Sequence, residues 1–325
     1  MKKQFKVLLY LFLVVFLFSC GSIANKQAKK IIVSLDVSEQ ETNLSQSENG
    51  QVAEVGSTKL ASDKKYSYDE IDKKYKALKL KYSKNRDDYP SDIVFANFRN
   101  VKVGNIKEGI LYRGASSIDN SFGRAKYVDK LIEEAGVKFD VDLTDNDEKI
   151  KRHFSKKDFA SNNFKTLYES GKTVLLHMDT NYREQKYRDR VVKALTAMSK
   201  KDGPYYVHCV EGKNRTGFVM AVIEGLAGAS YDEIVKDHMI TFANYYGITE
   251  ENDKEKYDIL KARYIDSMLR FIADSDPWTG NGTIELRDLD WVNIMGRFLI
   301  NNGMTEEDLH NWYEKLTDEN YGDPN

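Results

Sequence analysis

One stretch of the chain, VHCVEGKNRTG at residues 207–217, places a cysteine between an apolar run and a basic loop with two glycines. Gly212 permits a tight turn, and a loop that enters a helix directs backbone N–H groups and the positive end of the helix dipole into one concavity. Arg215 adds a planar guanidinium that suits a phosphate group. Because the same positive field favours ionisation of a thiol, the stretch predicts an anion site with Cys209 as a thiolate nucleophile.

The segments around this loop indicate how it is positioned. PYYVHCV is typical of a strand, and TGFVMAVIEGLAG is typical of a helix that ends at Gly228. Strand-like segments such as VKFDVDLTD and TVLLHMD alternate with helical patterns such as GRAKYVDKLIEEAG. The sequence therefore predicts an α/β fold with a central, mostly parallel sheet flanked by helices. Sites in such folds lie beyond the carboxyl ends of the strands, where Cys209 falls.

Helical patterns also lie at both ends of this region. YSYDEIDKKYKALKLKYSKN has Ile71, Tyr75 and Leu78 at helical spacing and predicts a leading helix. Ser230 and Glu233 have the spacing of a capping box at a helix start. From about residue 252 onward the patterns are helical, so we expect one domain at 65–325 with a helical C-terminal extension.

The N-terminus has the pattern of an export signal. A basic start, MKKQFK, precedes the apolar run VLLYLFLVVFLF, which is shorter than the roughly 20 residues of a membrane span. The ending LFSC resembles a bacterial lipobox, which implies lipidation of Cys20. We expect a lipoprotein signal peptide at 1–20, a disordered tether at 21–64 and a lipid anchor at the extracellular face of the bacterial cell membrane. A short buried helix with a chance cysteine is the alternative.

The loop pattern His208-Cys209-x5-Arg215-Thr216 resembles the phosphate-binding loop of the protein tyrosine phosphatase and dual-specificity superfamily. The longer resemblance is to bacterial tyrosine-phosphatase-like proteins with a Gly-Lys-Asp-Arg-Thr-Gly loop. LYRGASSIDNSFGRA and GASYDEIVKDHMITFANYYGI also resemble that group, from about Asp88 to the C-terminus. The resemblance implies a phosphomonoester hydrolase that acts through a cysteinyl-phosphate, without a cofactor or metal. Its expected substrates carry phosphotyrosine, with phosphoinositides, inositol phosphates and small phosphate esters as further candidates.

The resemblance also implies a role for each residue of the loop. Cys209 would attack phosphorus, and Arg215 would hold the equatorial oxygens of the phosphoryl group. Thr216 would stabilise the thiolate as a leaving group, and His208 would orient the loop and tune the thiol. Lys213 would add a positive charge, which in the superfamily accompanies activity on phosphoinositides as well as phosphotyrosine. Backbone amides would hold the remaining oxygens, at Val210, Glu211, Gly212, Lys213 and Asn214. 

One position departs from the family pattern, because Asn214 stands where the closest group usually carries an aspartate. An amide cannot donate a proton as a general acid, so the acid must come from elsewhere. Asp179 is the first candidate, since it ends a strand thirty residues before Cys209. Asp145 is the second and Asp142 the third, and each of these aspartates could instead be an ordinary turn residue. 

Several other interpretations remain open. Arg113 in LYRGAS is a candidate substrate-binding residue, with a surface or ion-pair role as the alternative. Cys209 could be a small buried hydrophobe, or the loop could bind phosphate without turnover, as a pseudophosphatase or adhesion module. A sulfur-transfer enzyme of rhodanese type is a third possibility. The net charge of −2 gives no broad basic face for nucleic acid, and four histidines show no metal-binding spacing: His153, His177, His238 and His310.

Overall fold

In the computed structural model, which describes residues 67–275 and 285–318, five short strands form one sheet. The order across the sheet is β1-β2-β5-β3-β4; β1 is antiparallel to β2, and the other neighbours are parallel. The α/β fold with a mostly parallel sheet that the sequence predicts is confirmed. The strands are β1 (Arg99–Asn100), β2 (Leu111–Gly114), β3 (Phe139–Asp142), β4 (Thr173–Leu175) and β5 (Tyr205–His208).

Helices cover both faces of the sheet. One face packs against α3 and α5, and the other packs against the helices that follow Lys200 in the chain and against α6. A π-helical turn, Ala262–Asp266, joins α9 to α10. The helices are α1 (Tyr68–Ala77), α2 (Asp92–Phe95), α3 (Ala125–Glu134), α4 (Asp147–Phe154), α5 (Asn162–Glu169), α6 (Gln185–Lys200), α7 (Asn214–Leu226), α8 (Tyr231–Tyr246), α9 (Lys254–Lys261), α10 (Ser267–Ser275), α11 (Trp291–Asn301) and α12 (Glu306–Leu316).

The central strand β5 leads directly into the cysteine. Its register places His208 level with Gly114 of β2 and Asp142 of β3, so the loop after β5 begins between two neighbouring strand ends. All four residues of β5 are buried, which explains its apolar run, because strands of parallel sheets are covered on both faces.

Helix α7, which follows the loop, is buried on nearly every side from Thr216 to Leu226. Its sequence is apolar all round, as expected for a helix enclosed by others. The C-terminal helices provide part of that cover, since α11 packs on α7 and α12 packs on α6. The predicted helical C-terminal extension therefore completes the hydrophobic core rather than forming a separate body.

The termini of several helices follow their sequence signals. Ser230 and Glu233 form the predicted capping box at the start of α8, in which each side chain bonds the backbone N–H of the other residue. The leading helix α1 ends at Ala77, and its Asp72 pairs with Arg263 at 2.6 Å. Thus α1 is fixed to the C-terminal helices by an ion pair as well as by packing.

The expected signal peptide, Cys20 and the tether at 21–64 lie outside the described residues. All described residues fall within one compact unit, Leu60–Tyr321. Among the helices of 67–275 and 285–318, none has the length and apolar character needed to cross a membrane.

Two glycines of α7 allow a test of its packing. A Cβ at Gly217 would lie 2.4 Å from Cε1 of the buried His238 ring, whereas a Cβ at Gly225 would meet the flexible Met295 side chain at 3.0 Å. We expect Gly217→Ala to lower the free energy of unfolding by about 1–3 kcal/mol, because the imidazole has no room to move. Gly225→Ala should cost less, since alanine gains about 1 kcal/mol of helix propensity over glycine. Urea unfolding of both variants measures the difference, and equal midpoints would contradict this account of Gly217.

Candidate active site

The loop between β5 and α7 is shaped by Gly212. Its φ of +67° lies in the left-handed region, and an added Cβ would lie only 2.3 Å from the Gly114 carbonyl oxygen. The neighbouring Val210 accepts a hydrogen bond from the Ser116 N–H at 3.2 Å. The loop is therefore fitted closely against the end of β2, as the tight turn expected at Gly212 requires.

Asn97 holds the outer side of the loop and was not found by sequence reasoning. It is fully buried with a φ of +50°, and its amide nitrogen donates to the Glu211 and Gly212 carbonyls at 3.3 and 3.4 Å. The Tyr245 hydroxyl donates to the same Glu211 carbonyl at 2.6 Å. Asparagine adopts left-handed backbone more readily than most residues, but nothing in the FANF segment marks Asn97 in advance.

These contacts fix the direction of the loop amides. In a trans peptide the C=O and the following N–H point in opposite directions. Because the Glu211 and Gly212 carbonyls point toward Asn97, the N–H groups of Gly212 and Lys213 point to the opposite side. The side of the loop opposite Asn97 therefore presents two backbone donors, which an anion site of the predicted kind would use.

Arg113, which the sequence offers as a candidate substrate-binding residue, lies buried beneath the loop. Its side chain is 1% exposed; it donates to the Asp237 carboxylate at 2.5 Å and to the Gly212 carbonyl at 3.2 Å. Arg99 binds the same Asp237 at 2.8 Å. Burial and these ion pairs leave Arg113 no path to a ligand, so its role is to support the loop. This position agrees with the alternative given in the sequence analysis, in which Arg113 forms an ion pair.

Cys209 lies at the base of the loop with 3% of its surface exposed. Burial alone would raise the pKa of its thiol. The Arg215 guanidinium, the Thr216 hydroxyl and the backbone N–H groups of Thr216 and Glu211 act in the opposite direction and lower the pKa below its ordinary value. The interpretation of Cys209 as an inert buried hydrophobe therefore does not suit its surroundings, which stabilise a thiolate.

Arg215 and Thr216 both begin α7. The Thr216 hydroxyl is buried, and it is one of the groups that lower the pKa of the Cys209 thiol. One Arg215 nitrogen donates to the Met178 carbonyl at 3.0 Å. The guanidinium thus joins the loop to the segment that follows β4.

His208 is fully buried beside three carboxylates. Its Nε2 lies 3.2 Å from Asp140 Oδ1, and Asp142 and Asp145 are also close enough to act on it. Burial alone would lower the pKa of His208, but Asp140 and Asp142 raise it to about 10. An imidazole that stays protonated at neutral pH cannot act as a general base. The role of His208 in orienting the loop stays a prediction.

The candidate acids lie together at one sheet edge. The segment after β4 pairs with the end of β3, because the Leu176 and Met178 N–H groups donate to the Asp142 and Leu143 carbonyls at 2.9 and 2.8 Å. Asp179 follows Met178 directly, so it lies one residue from the carbonyl that binds Arg215. Its side chain is 57% exposed and is 3.4 Å from Lys186.

Asp145 and Asp142 differ from Asp179 in being buried. Burial, and then the charge of Asp142, raises the pKa of Asp145 to about 7. One Asp142 oxygen accepts from the Thr144 and Asp145 N–H groups at 2.7 and 3.0 Å, which makes it a structural turn residue. Asp145 holds a proton more readily than an ordinary aspartate, whereas the Asp179 side chain is exposed to solvent.

The remaining loop residues are placed as follows. Asn214 is exposed at the first turn of α7, and Val210 is half-buried. Lys213 is 7% exposed, and its ammonium lies 3.2 Å from a Glu211 oxygen instead of standing free in the loop. Within 67–275 and 285–318, no group of three or more His, Cys, Asp or Glu side chains is arranged to hold a metal.

The thiolate can be tested directly. Thr216→Ala removes a hydrogen bond that stabilises the ionised sulfur, so we expect the pKa of Cys209 to rise toward its ordinary value. The ultraviolet absorbance of the thiolate, titrated against pH with Cys209→Ser as the blank, measures this change. Thr166→Ala, whose hydroxyl bonds only the Asn162 carbonyl among the contacts described, is the matched control and should leave the titration unchanged. An unshifted midpoint in Thr216→Ala would rule out this role of the hydroxyl.

Comparison with known proteins agrees with this geometry. The model of the tyrosine phosphatase family matches residues 95–318, which is more than half of the chain and includes all five strands and the loop. A search of curated proteins finds no match. The chain therefore belongs to the tyrosine phosphatase family, and it is a hydrolase of the protein tyrosine phosphatase type.

Proposed function

We propose that this chain hydrolyses phosphomonoesters, above all phosphotyrosine, in two steps through a cysteinyl-phosphate at Cys209. One observation carries the proposal: Cys209 has a lowered pKa because the Arg215 guanidinium, the Thr216 hydroxyl and backbone N–H groups of the loop favour its thiolate. This arrangement pairs a nucleophile with electrostatic stabilisation of the charge on a transferring phosphoryl group.

In the first step the Cys209 sulfur attacks phosphorus as the bond to the ester oxygen breaks, and a general acid gives that oxygen its proton. Water then attacks the cysteinyl-phosphate and gives a proton to the carboxylate that the general acid has become. The sulfur–phosphorus bond breaks, inorganic phosphate is released, and the thiolate is regenerated. Arg215 supports both steps because its fork matches two phosphoryl oxygens. The Thr216 hydroxyl stabilises the sulfur as it leaves.

We assign the general acid to Asp179. Its carboxylate is exposed at the rim, and its backbone is held near Arg215 through Met178. A leaving group must depart toward solvent, and Asp145 faces the buried carboxylates and His208 instead. Asp145, even when it is protonated, is therefore placed among the buried groups of the site and not beside the leaving group.

The substrate class follows from the charge at the loop. The charge of Lys213 predicts phosphoinositide activity beside phosphotyrosine activity, and we propose that the pairing of Lys213 with Glu211 favours singly phosphorylated aryl esters over phosphoinositides. On the pattern at residues 1–20, we also propose that a lipid anchor at Cys20 holds the domain at the extracellular face of the membrane. Its partners would then be phosphorylated proteins or small phosphate esters outside the cell.

Cys209→Ser tests the nucleophile. We expect hydrolysis of 4-nitrophenyl phosphate to fall roughly a thousandfold or more, because the hydroxyl is a far weaker nucleophile than the thiolate. Vanadate should inhibit the unmodified chain, and acid quenching during turnover should leave one phosphoryl group on the Cys209 peptide. Undiminished hydrolysis by Cys209→Ser would refute the mechanism. Binding of phosphotyrosine without any hydrolysis would instead favour a phosphate-binding pseudophosphatase.

Asp179→Asn tests the acid through the leaving group. Loss of a general acid should slow phenyl phosphate by roughly a hundredfold, because phenolate leaves poorly without a proton. The better leaving group of 4-nitrophenyl phosphate should lose much less. Asp145→Asn is the comparison variant, and it should slow both substrates to a similar degree. If Asp145→Asn shows the leaving-group dependence and Asp179→Asn does not, the acid assignment passes to Asp145.

A further inference from the structure

The proposed phosphate-binding loop itself carries an acidic residue, Glu211. Glu211 stands two residues after Cys209, and a carboxylate at this place would repel a phosphate unless a cation is paired with it. The Lys213 ammonium lies 3.2 Å from Glu211 Oε1, with 9% and 24% of the two side chains exposed. The same Oε1 accepts a hydrogen bond from the Tyr82 hydroxyl.

Lys213 is enclosed on its other sides. Its ammonium is 3.5 Å from the Tyr246 hydroxyl and lies over the rings of Tyr82 and Tyr246 at 5.8 and 5.9 Å. Burial would lower the pKa of Lys213, but Glu211 raises it, so the side chain stays charged. Its charge is directed at Glu211 and the two rings rather than at the concave side of the loop.

Tyr82 comes from the segment after α1 and is held in position by aromatic neighbours. Its ring stacks on Tyr245 with centroids 4.8 Å apart and meets Tyr246 edge-on at 5.5 Å. The guanidinium of the buried Arg124 lies 5.0 Å from the centre of the same ring. Because the ring is fixed, its hydroxyl can hold the Glu211 carboxylate on the side of Lys213.

We propose that Glu211 is a specificity-determining residue that neutralises Lys213 and, held by Tyr82, makes the site select singly phosphorylated substrates against esters that carry a second phosphate. A second phosphate near the loop would meet the Glu211 carboxylate and would find Lys213 already paired. Discrimination of this kind works by repulsion of the wrong substrate as well as by attraction of the right one. The inference deepens the proposed function and rests on it.

The test compares two ligands, phosphotyrosine and inositol 1,4-bisphosphate, in the full chain and in Glu211→Gln. Glutamine keeps the shape of the side chain, removes the charge and frees Lys213. We expect the ratio of kcat/KM for the bisphosphate to that for phosphotyrosine to rise at least fivefold. Tyr82→Phe should raise the ratio by a smaller factor, because the carboxylate remains but loses one partner.

Two further variants distinguish the specific effect of Glu211 from the general effect of removing one negative charge. Glu250→Gln removes a carboxylate that pairs with Lys254 on the exposed surface, and it should leave the ratio unchanged. Adding Lys213→Met to Glu211→Gln should abolish most of the gain if the freed ammonium causes it. An unchanged ratio in Glu211→Gln, or a gain that persists without Lys213, would overturn the inference.

Binding measurements distinguish this failure from a failure of the proposed function. Calorimetry in the Cys209→Ser background, with and without Glu211→Gln, gives the affinities of both ligands without turnover. Suppose that the chain with Cys209 intact hydrolyses neither ligand, but that Glu211→Gln shifts the measured affinity toward the bisphosphate. This result would refute the proposed function and retain the role of Glu211. An affinity ratio that does not move would refute the role of Glu211 whatever the chain hydrolyses.

Discussion

The structure depends on one constraint, which is that the peptide groups of the loop after β5 must all face one way. Gly212 can turn the chain only because it has no Cβ, and Asn97, Tyr245 and Arg113 then bind the Glu211 and Gly212 carbonyls from outside. Without those partners the peptides could rotate, and a carbonyl would replace an N–H at the phosphate. The sheet, the central helix α7 and the N-terminal segment all serve to keep these partners in place.

That support comes from buried charges. Arg99 and Arg113 share Asp237, and Glu224 lies 3.8 Å from Arg113 in the same cluster. Burial and the charge of Asp237 raise the pKa of Glu224, so it is protonated and Asp237 remains the anion. Buried ion pairs add little net stability, but removal of one partner leaves an uncompensated charge that costs about 3–5 kcal/mol. Any change that separates the members of this cluster is therefore costly, which helps to hold the loop in place.

The sequence predicts the parts of this arrangement that are local. The strand, the glycine turn, the arginine and the helix start lie within one stretch of residues, and so do the capping signals of α8. The supports of the loop come from far along the chain, and no periodic pattern marks them. Asn97 lies 114 residues before Glu211, and Arg113 lies 124 residues before Asp237. The same limit applies to Arg113, which the sequence leaves open between substrate binding and an ion pair, because its residue type is visible there but its burial and partners are not.

Asn214 and Glu211 are best considered together, because they determine where the loop has an acidic side chain. Relative to the Gly-Lys-Asp-Arg pattern, the acidic position at 214 has become an amide, and a carboxylate stands three residues earlier at 211. Glu211 does not replace the lost proton donor, because one of its oxygens already accepts hydrogen bonds from both Tyr82 and Lys213. The loop therefore keeps a negative charge but has no acid of its own. Protonation of the leaving group must come from another strand end, and the exposed position of Asp179 beside the Arg215 contact is why the acid is assigned there.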